Sequence, residues 1–446
     1  MRNYRFGMVE TIECPSRDVR ERQLAAANFN TYRLDAEHVY LDLLTDSGTG
    51  PLSKEQWSAM MTADESYAGS KSFRDLETYI QETFGFDHVI PTHQGRAAEH
   101  VLFRALLEEN DHVPNNTHFA TTEAQIKDND AIPVNCPIEA GRSTEHDTFK
   151  GNIDPAKVAA VIEQVGTEHV PAIMLALTNN ALAGQPVSMD NIKTTRDLAD
   201  QHDRYFIIDA CRYVENAYFI QHHEDGQQHR ELPAIAKEQL QHADIITMSG
   251  KKNGLVNMGG FVALDDDELA EAIKEQTMLH EGFYTYGGMS GRTMEAFRIG
   301  LQEALTPRFI EQRVEQTQDL GQLLEDRGIP LYKPVSGHAV YINASAFLDH
   351  LDVDDHPAEA LAAAFYLEGG IRTSPDGTLP YDDSHDALLR LCLPPRTYHR
   401  DHLEDIAETA ATLLEDSNQI PGLEITKEPD HESLAPFQRS YHPRSL

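Results

Sequence analysis

Three short segments of this sequence carry side chains that could act together in catalysis. Asp209 ends an apolar run, with Arg212 three residues later, and Lys252 follows a second apolar run. His93–Arg96 (His-Gln-Gly-Arg) precedes a segment with helical apolar spacing. A small residue and an arginine at a helix start form an anion site, because free N–H groups, dipole and guanidinium all favour a negative ligand. An anion site, a carboxylate and an amine are what pyridoxal phosphate requires for its phosphate, pyridine nitrogen and aldehyde.

Each of these segments also has an ordinary structural explanation. A Gln-Gly-Arg sequence is common at helix starts, an aspartate at a strand end often caps a turn, and most exposed lysines are solvated charges. The residue types and their spacing therefore leave both interpretations open, and the surrounding elements must decide whether the three segments meet.

Apolar runs that alternate with amphipathic segments predict an α/β enzyme. We predict strands over Ala172–Leu177, Tyr205–Ile208, Asp244–Thr247 and Phe261–Leu264, and helices over Asn191–His202 and from Glu268. Continuous apolar strands with helical connections indicate a mostly parallel sheet that is covered on both faces. Ligands of such sheets bind at the carboxyl ends of the strands, where the three segments fall. After about Pro307, longer helices with isolated strands (His338–Ile342 and Leu389–Leu393) predict a second, smaller domain.

Length and charge exclude several classes of protein. The chain has 446 residues, 40% of them hydrophobic, which is enough for a globular protein of two or three domains. It carries 37 Lys and Arg against 73 Asp and Glu, a net charge of −36, so nucleic acid and anionic membrane are poor partners. The basic residues are mostly arginine, and the acids are scattered in short groups such as Asp265–Asp267. This pattern indicates a halophilic protein whose self-repulsion is screened by salt, in preference to an acidic tail or a cation-binding surface.

The cysteines and the N-terminus indicate a cytoplasmic, reduced protein. Cys14, Cys136, Cys211 and Cys392 are too dispersed for a disulfide framework or a Cys-x-x-Cys metal site. The first eighteen residues contain no apolar core of a secretory signal.

A series of motifs resembles one known family. The sequence contains LLTDSGTG at 43–50, DESYAGS at 64–70, IPTHQGR at 90–96, GQPVS at 184–188, VENAYFI at 214–220, MSGKK at 248–252 and EGF with TYGG at 281–288. In this order they resemble the β-eliminating lyases, tryptophanase and tyrosine phenol-lyase, from about Tyr32 to Phe437. The resemblance implies pyridoxal-phosphate fold type I, similar to aspartate aminotransferase. It implies an N-terminal arm at 1–18, a large mixed-sheet domain at 45–307, and a smaller α+β domain built from 19–44 and 308–446.

The resemblance also assigns residues to the cofactor. Lys252 resembles the Schiff-base lysine, with Lys251 as its neighbour, and Asp209 resembles the partner of the pyridine nitrogen. The remaining cofactor residues implied in this way are Gln94, Gly95, Arg96 and Ser249 around the phosphate, Phe119 stacked on the ring, and Arg212 and Asn180 close to it.

Substrate and cation sites follow from the same resemblance. Thr45, Ser47, Asn180 and Arg390 match groups around the substrate carboxylate and cofactor oxygen, and Tyr32, Ala120 and Phe437 lie at positions near the substrate. Tyr67 matches a catalytic tyrosine that serves the neighbouring subunit of a homotetramer, with Tyr286 close by. Glu65 and the carbonyls of Gly48 and Asn257 match the ligands of a monovalent cation, K⁺ here, at the subunit interface.

The implied reaction is β-elimination from an amino acid. Lys252 removes the Cα proton, Asp209 keeps the pyridine nitrogen protonated, and Tyr67 or a water that it orders protonates the leaving group. The products are pyruvate, ammonia and the released group.

The sequence departs from the family where the leaving group is recognised. After the stacking phenylalanine, tryptophanases carry an acid and phenol-lyases a threonine, but this chain has Ala120. Tryptophanases have a histidine before a C-terminal phenylalanine, but here Pro436 precedes Phe437; His431 and Gln438 are alternative polar groups nearby. The loop after Arg372, which begins Thr-Ser-Pro-Asp-Gly, lacks the phenol-binding arginine and is several residues short.

These departures favour tryptophan over tyrosine as the substrate. A phenolate needs a positively charged partner, whereas indole can be held by an apolar pocket and protonated at carbon. Tyrosine and S-substituted cysteines remain alternatives for the substrate. A fold type I aldolase or aminotransferase is a more distant alternative, which the Lys-Lys pair and the cation ligands disfavour.

Overall fold

The computed structural model of the protein describes residues 10–144, 146–378, 386–430 and 435–444, without the side chains of 376–378 and Pro436. The helices are α1 Arg17–Ala26, α2 Lys54–Thr62, α3 Lys71–Phe84, α4 Gly95–Leu106, α5 Ala120–Lys127, α6 Pro155–Val165, α7 Met189–His202, α8 Tyr213–His223, α9 Leu232–Gln241, α10 Asp267–His280, α11 Gly291–Ala304, α12 Pro307–Glu325, α13 Ala344–Phe347, α14 Pro357–Gly369, α15 Arg400–Glu415 and α16 Ala435–Gln438. The strands are β1 Leu41–Asp42, β2 His88–Thr92, β3 His112–Asn115, β4 Ile132–Asn135, β5 Ala172–Ala176, β6 Tyr205–Asp209, β7 Ile245–Ser249, β8 Gly260–Leu264, β9 Ala339–Asn343, β10 Ile371–Arg372, β11 Ser374–Thr378, β12 Ala387–Cys392, β13 Leu423–Lys427 and β14 Ser440–Pro443.

The central element is a five-stranded mixed sheet in the order β2-β8-β7-β6-β5. Strands β5, β6 and β7 are parallel, while β8 is antiparallel to both β7 and β2. Strand β8 therefore interrupts a sheet whose other four strands run in one direction. The connection from β7 to β8 spans only residues 250–259, which is too short for the helical crossover that a parallel pair needs.

Both faces of this sheet are buried, as the apolar runs predict. Ile173, Leu175 and Phe206 belong to a core on one face, while Met174 and Ile207, the alternate residues, belong to a core on the other. Alternate side chains of a strand point to opposite faces, so each strand must be apolar throughout.

Capping residues next to the strands determine where two of the helices begin. Ser188 accepts a hydrogen bond from the backbone N–H of Asn191 at the start of α7, and Asp266 accepts one from Leu269 at the start of α10. The acids after β8 thus satisfy free N–H groups of the helix that follows.

A second hydrophobic core lies around the three-stranded sheet β11-β12-β9. It combines Leu41 and Leu43 with apolar residues from Leu320 to Tyr441, and β1 pairs with β10 in parallel. The domain boundaries given above remain predictions. In the part of the chain that the structure describes, no helix is long and apolar enough to cross a membrane.

Candidate active site

One cavity of about 510 Å³ lies at the edge of the sheet where β5, β6, β7 and β2 end. Its volume is in the range of small-molecule sites. It gathers most residues singled out from the sequence: Tyr32, Thr45, Ser47, Gln94, Gly95, Arg96, Phe119, Ala120, Asn180, Asp209, Arg212, Ser249, Lys251, Lys252, Arg390 and Phe437. The three segments whose side chains could act together in catalysis therefore meet in one cavity.

The start of helix α4, beside β7, has the features expected of an anion cradle. Gln94 is the N-cap residue but makes no side-chain capping bond, which leaves the N-terminus of α4 available to a ligand. A Cβ at Gly95 would lie 2.6 Å from the Cβ of Ser249, so this close approach of helix and strand requires glycine. Arg96, the next residue, is exposed and lines the cavity.

The two lysines differ in their surroundings. Lys251 Nζ donates a hydrogen bond to Gln94 Oε1 at 3.3 Å, and burial, followed by the charges of Lys252 and Arg96, lowers its pKa. No side chain or carbonyl of the described residues accepts a hydrogen bond from Lys252 Nζ. A cavity-lining amine without a fixed partner is available to react with a carbonyl.

Asp209 presents a carboxylate at the end of β6. Its Oδ1 accepts the backbone N–H of Cys211 at 2.9 Å, which fixes its orientation. Burial, followed by Asp209, raises the pKa of the Cys211 thiol to about 12, so this cysteine stays neutral beside the carboxylate.

Arginine side chains form a second charged wall of the cavity. Arg390 donates to Asn180 Oδ1 at 3.3 Å, to the Leu44 carbonyl at 3.2 Å and to Ser374 Oγ at 3.2 Å. Arg212 also reaches Asn180 Oδ1, at 3.4 Å. This clustering presents two guanidinium groups to a carboxylate ligand.

A buried ion cluster holds Arg212 in place. Its guanidinium makes two hydrogen bonds to Asp46, at 3.1 and 2.8 Å, and Arg313 contacts the same carboxylate at 3.4 Å. Burial raises the pKa of Asp46, but the arginines, led by Arg212, outweigh it and hold that pKa well below its usual range. His338 is buried beside the cluster, and burial, then Arg212, lowers its pKa far enough to keep it neutral.

The side of the cavity expected to hold the leaving group is mainly aromatic and apolar. Tyr32 and Phe437 pack edge to face with ring centroids 4.9 Å apart, and Ala120 and Pro375 line the same cavity. Tyr32 Oη lies 2.6 Å from Ser374 Oγ. Of the two alternative polar groups, Gln438 is exposed and does not line the cavity, and His431 lies outside the described residues.

The residues that the resemblance assigns to the neighbouring subunit's site and to the cation do not line this cavity. Tyr67 is 71% exposed and packs against Phe283 and Tyr286. Glu65 is paired with Arg292 at 2.8 Å. Gly48, at φ +77°, accepts the Asn257 side-chain amide at 2.8 Å, so these two residues do lie together.

Sequence reasoning missed Glu99, Thr122 and the role of Asp46. Glu99 and Thr122 line the cavity, and the Thr122 hydroxyl donates to Glu99 Oε1 at 2.5 Å. Glu99 is four residues after Gly95, one helical turn along the same face, and this spacing was the available signal. Asp46 is part of the LLTDSGTG motif, but the resemblance assigns it no function.

Two buried polar atoms of the cavity wall could hydrogen-bond to a bound ligand. Asn115 Oδ1 and Thr178 Oγ1 are buried without a hydrogen-bond partner within the described ranges. Because buried polar groups are normally paired, they fit a ligand rich in polar atoms. The described residues contain no group of three or more His, Cys, Asp or Glu side chains that could hold a metal ion.

Comparison with known proteins shows the family of the chain. A family model described as beta-eliminating lyase matches residues 42–409. A probable tryptophanase of Halobacterium salinarum is 48% identical over 446 residues, which cover 99% of this chain and 100% of the relative.

The chain belongs to the beta-eliminating lyase family. It is therefore a lyase of a family that uses pyridoxal phosphate. A tryptophanase of Salinibacter ruber is 44% identical over 96% of this chain and 92% of that protein. A tyrosine phenol-lyase of Symbiobacterium is 41% identical over 96% of this chain and 95% of that protein, so both activities occur among similar relatives.

Proposed function

We propose that this chain eliminates indole from L-tryptophan, using pyridoxal phosphate, and releases pyruvate and ammonia. One observation carries the proposal: Lys252, Asp209, the anion cradle at Gly95 and Arg390 all line one cavity. An amine for an aldehyde, a carboxylate for a pyridine nitrogen, a cradle for a phosphate and an arginine for a substrate carboxylate are thus within one site.

The residues present fit pyridoxal phosphate. Gly95, Arg96 and Ser249 would hold its phosphate, Asp209 its ring nitrogen, Phe119 its ring face and Lys252 its aldehyde carbon. Asn115 and Thr178 offer unpartnered polar atoms in the same wall. When bound, the cofactor takes up the electron pair that the departing Cα proton leaves.

The protein's own groups bind, orient and move protons. Arg390, with Asn180 beside it, binds the substrate carboxylate and so sets which Cα bond can break. Lys252 Nζ takes the Cα proton. Asp209 would hold the ring nitrogen protonated, and the aromatic side of the cavity excludes water from the leaving group.

The aromatic side of the cavity supports indole as the leaving group. Tyr32, Phe437, Ala120 and Pro375 offer surface to a flat apolar ring. The sequence of 373–385 contains no arginine that could meet a phenolate. Burying a phenolate without a positively charged partner costs far more binding free energy than an imperfect apolar contact. Tyrosine should therefore be rejected more strongly than small apolar analogues.

The first test of this proposal is the substrate preference of the purified holoenzyme. We expect kcat/KM for tryptophan to exceed that for tyrosine by about 10²-fold or more, with S-methylcysteine turned over as well. Ala120→Asp should raise the preference for tryptophan, whereas Ala120→Thr should not create phenol release. Equal turnover of tyrosine and tryptophan would contradict indole as the preferred leaving group while leaving β-elimination intact.

We propose that Tyr67 acts in the cavity of a second copy within a homotetramer. It is absent from the lining of its own chain's cavity and packs against Phe283 and Tyr286 in tilted arrangements, with ring centroids 5.6 and 5.4 Å away. Met61 and Leu279 are 84% and 74% exposed, and a second copy that covered them would remove apolar surface from water. There Tyr67, or a water that it orders, would protonate the leaving group.

We also propose a K⁺ site from Glu65 and the carbonyls of Gly48 and Asn257, in a protein adapted to high salt. Gly48 and Asn257 lie in contact, and the Glu65 side chain is 44% exposed and thus open to a neighbouring subunit. Carboxylate and carbonyl oxygens are suitable ligands for a hard cation. The net charge of −36 and the Halobacterium relative support the adaptation to salt.

Glu65→Ala should weaken activation by K⁺. Activity is measured in KCl and in NaCl at equal ionic strength, which separates a specific cation effect from general stabilisation by salt. We expect the wild type to prefer KCl several-fold and the variant to lose that preference. Equal activity of the wild type in both salts would count against the site.

A further inference from the structure

Glu99 is a buried acid in the wall of the cavity that the proposed reaction does not use. It is 6% exposed and lies on α4, one turn after Gly95, so it faces the same cavity as the anion cradle. A buried carboxyl needs a compensating partner, because burial penalises its charged form. Glu99 accepts a hydrogen bond from the Thr122 hydroxyl, a neutral group.

The surroundings of Glu99 favour its neutral form. Burial, followed by the neighbouring Asp209, raises the pKa of Glu99 to about 7, although Thr122, Lys252 and Arg96 oppose the shift. Asp209 already supplies the one carboxylate that a pyridine nitrogen needs. A second anion at Glu99 would lie close to that carboxylate and would be repelled by it.

The contact with Thr122 joins two elements of the site. Helix α4 begins at the anion cradle, and α5 begins directly after Phe119, the residue expected to stack on the cofactor ring. Thr122 is in the first turn of α5, so its hydrogen bond to Glu99 ties the phosphate end of the site to the wall that carries the ring.

We propose that Glu99 is a positioning residue of the cofactor site, which as a neutral carboxyl ties α4 to α5 and as a carboxylate opposes Asp209 and weakens binding of pyridoxal phosphate. The inference rests on the proposed cofactor chemistry. Cofactor binding would exclude water from Glu99 and consume the Lys252 amine, whose charge favours the carboxylate. Both changes favour the protonated form of Glu99, so binding is coupled to proton uptake.

The test is the affinity for pyridoxal phosphate as a function of pH, measured from the visible absorption of the bound cofactor in wild type and Glu99→Gln. Glutamine keeps the acceptor oxygen for Thr122 but cannot ionise. Taking the ratio of the two dissociation constants cancels the titration of the cofactor itself, which both proteins share. We expect the wild-type dissociation constant to rise about 5-fold relative to the variant between pH 6 and pH 8, as expected for uptake of one proton near neutrality.

Two further variants separate the parts of this proposal. Thr122→Val removes the link but keeps the acid, so its affinity should fall at both pH values. Its pH dependence should persist but shift to higher pH, because the Thr122 hydroxyl opposes the raised pKa of Glu99. Glu275→Gln, an exposed acid on α10, should match the wild type throughout. A constant ratio between wild type and Glu99→Gln across this pH range would overturn the inference about Glu99.

A second readout requires no cofactor. Because the raised pKa makes the folded state hold a proton that the unfolded chain releases, the free energy of unfolding should fall as pH rises from about 4.5 to about 7. Glu99→Gln should lose this part of the pH dependence. If the wild type binds no cofactor at Lys252, it is the proposed function that fails. The unfolding measurement on the cofactor-free chain still decides whether Glu99 titrates.

Discussion

Lys252→Ala is expected to abolish covalent attachment of pyridoxal phosphate and to lower kcat/KM for β-elimination by at least about 10²–10⁴-fold, the range for loss of a general base. The physical reason is that one amine both anchors the cofactor and takes the Cα proton. Lys252 comes three residues after the end of β7 and lines the cavity, and its Nζ has no hydrogen-bonding partner among the described residues. Pyruvate release and the visible absorption band of the holoenzyme measure the two losses separately.

Lys251→Ala is the matched control for this prediction. Lys251 Nζ already contacts Gln94, so its loss should weaken cofactor binding without removing the covalent link. Borohydride reduction of the wild-type holoenzyme followed by peptide mapping should label Lys252. A label on Lys251 would show that the assignment of the two lysines is reversed.

Asp209→Asn is expected to lower kcat by about 10²–10³-fold while the cofactor stays attached, as is typical when a preorganised charge is removed. The amide preserves the size of the side chain and the oxygen that accepts the Cys211 N–H. It cannot supply the negative charge that keeps a ring nitrogen protonated, so the electron pair from Cα is accepted less readily. Exchange of the substrate Cα proton with deuterium, followed by NMR, reports this step without requiring release of the leaving group.

Asp203→Asn provides the control for Asp209→Asn. Its side chain is fully exposed, and at φ +54° asparagine is well tolerated. It should exchange and eliminate at the wild-type rate. Unchanged Cα exchange in Asp209→Asn would mean that another group keeps the ring nitrogen protonated.

The sequence predicted the central strands well because each is buried on both faces. Such strands must be apolar throughout, so Ala172–Ala176 and Tyr205–Asp209 stand out as runs, and their polar ends mark the site. The antiparallel orientation of β8 could not be predicted from its sequence, because an apolar run does not show which way a strand runs in the sheet. Only the short segment between β7 and β8 indicates it.

The parts of the site that depend on distant contacts could not be predicted. Asp46 and Arg212 are 166 positions apart, and their ion pair with Arg313 forms only after folding. Tyr32 and Phe437 come from opposite ends of the chain yet form one wall of the cavity. Glu99 was overlooked because an acid within a mostly apolar helix face is normally exposed.

The most direct test of the central claim is the product balance of the holoenzyme with L-tryptophan in concentrated KCl. We predict that indole, pyruvate and ammonia appear in equal amounts, and that Lys252→Ala forms none of them. Conversion of tryptophan to a keto acid that retains its indole ring, with no free indole, would show amino-group transfer instead of elimination and would contradict the proposed function.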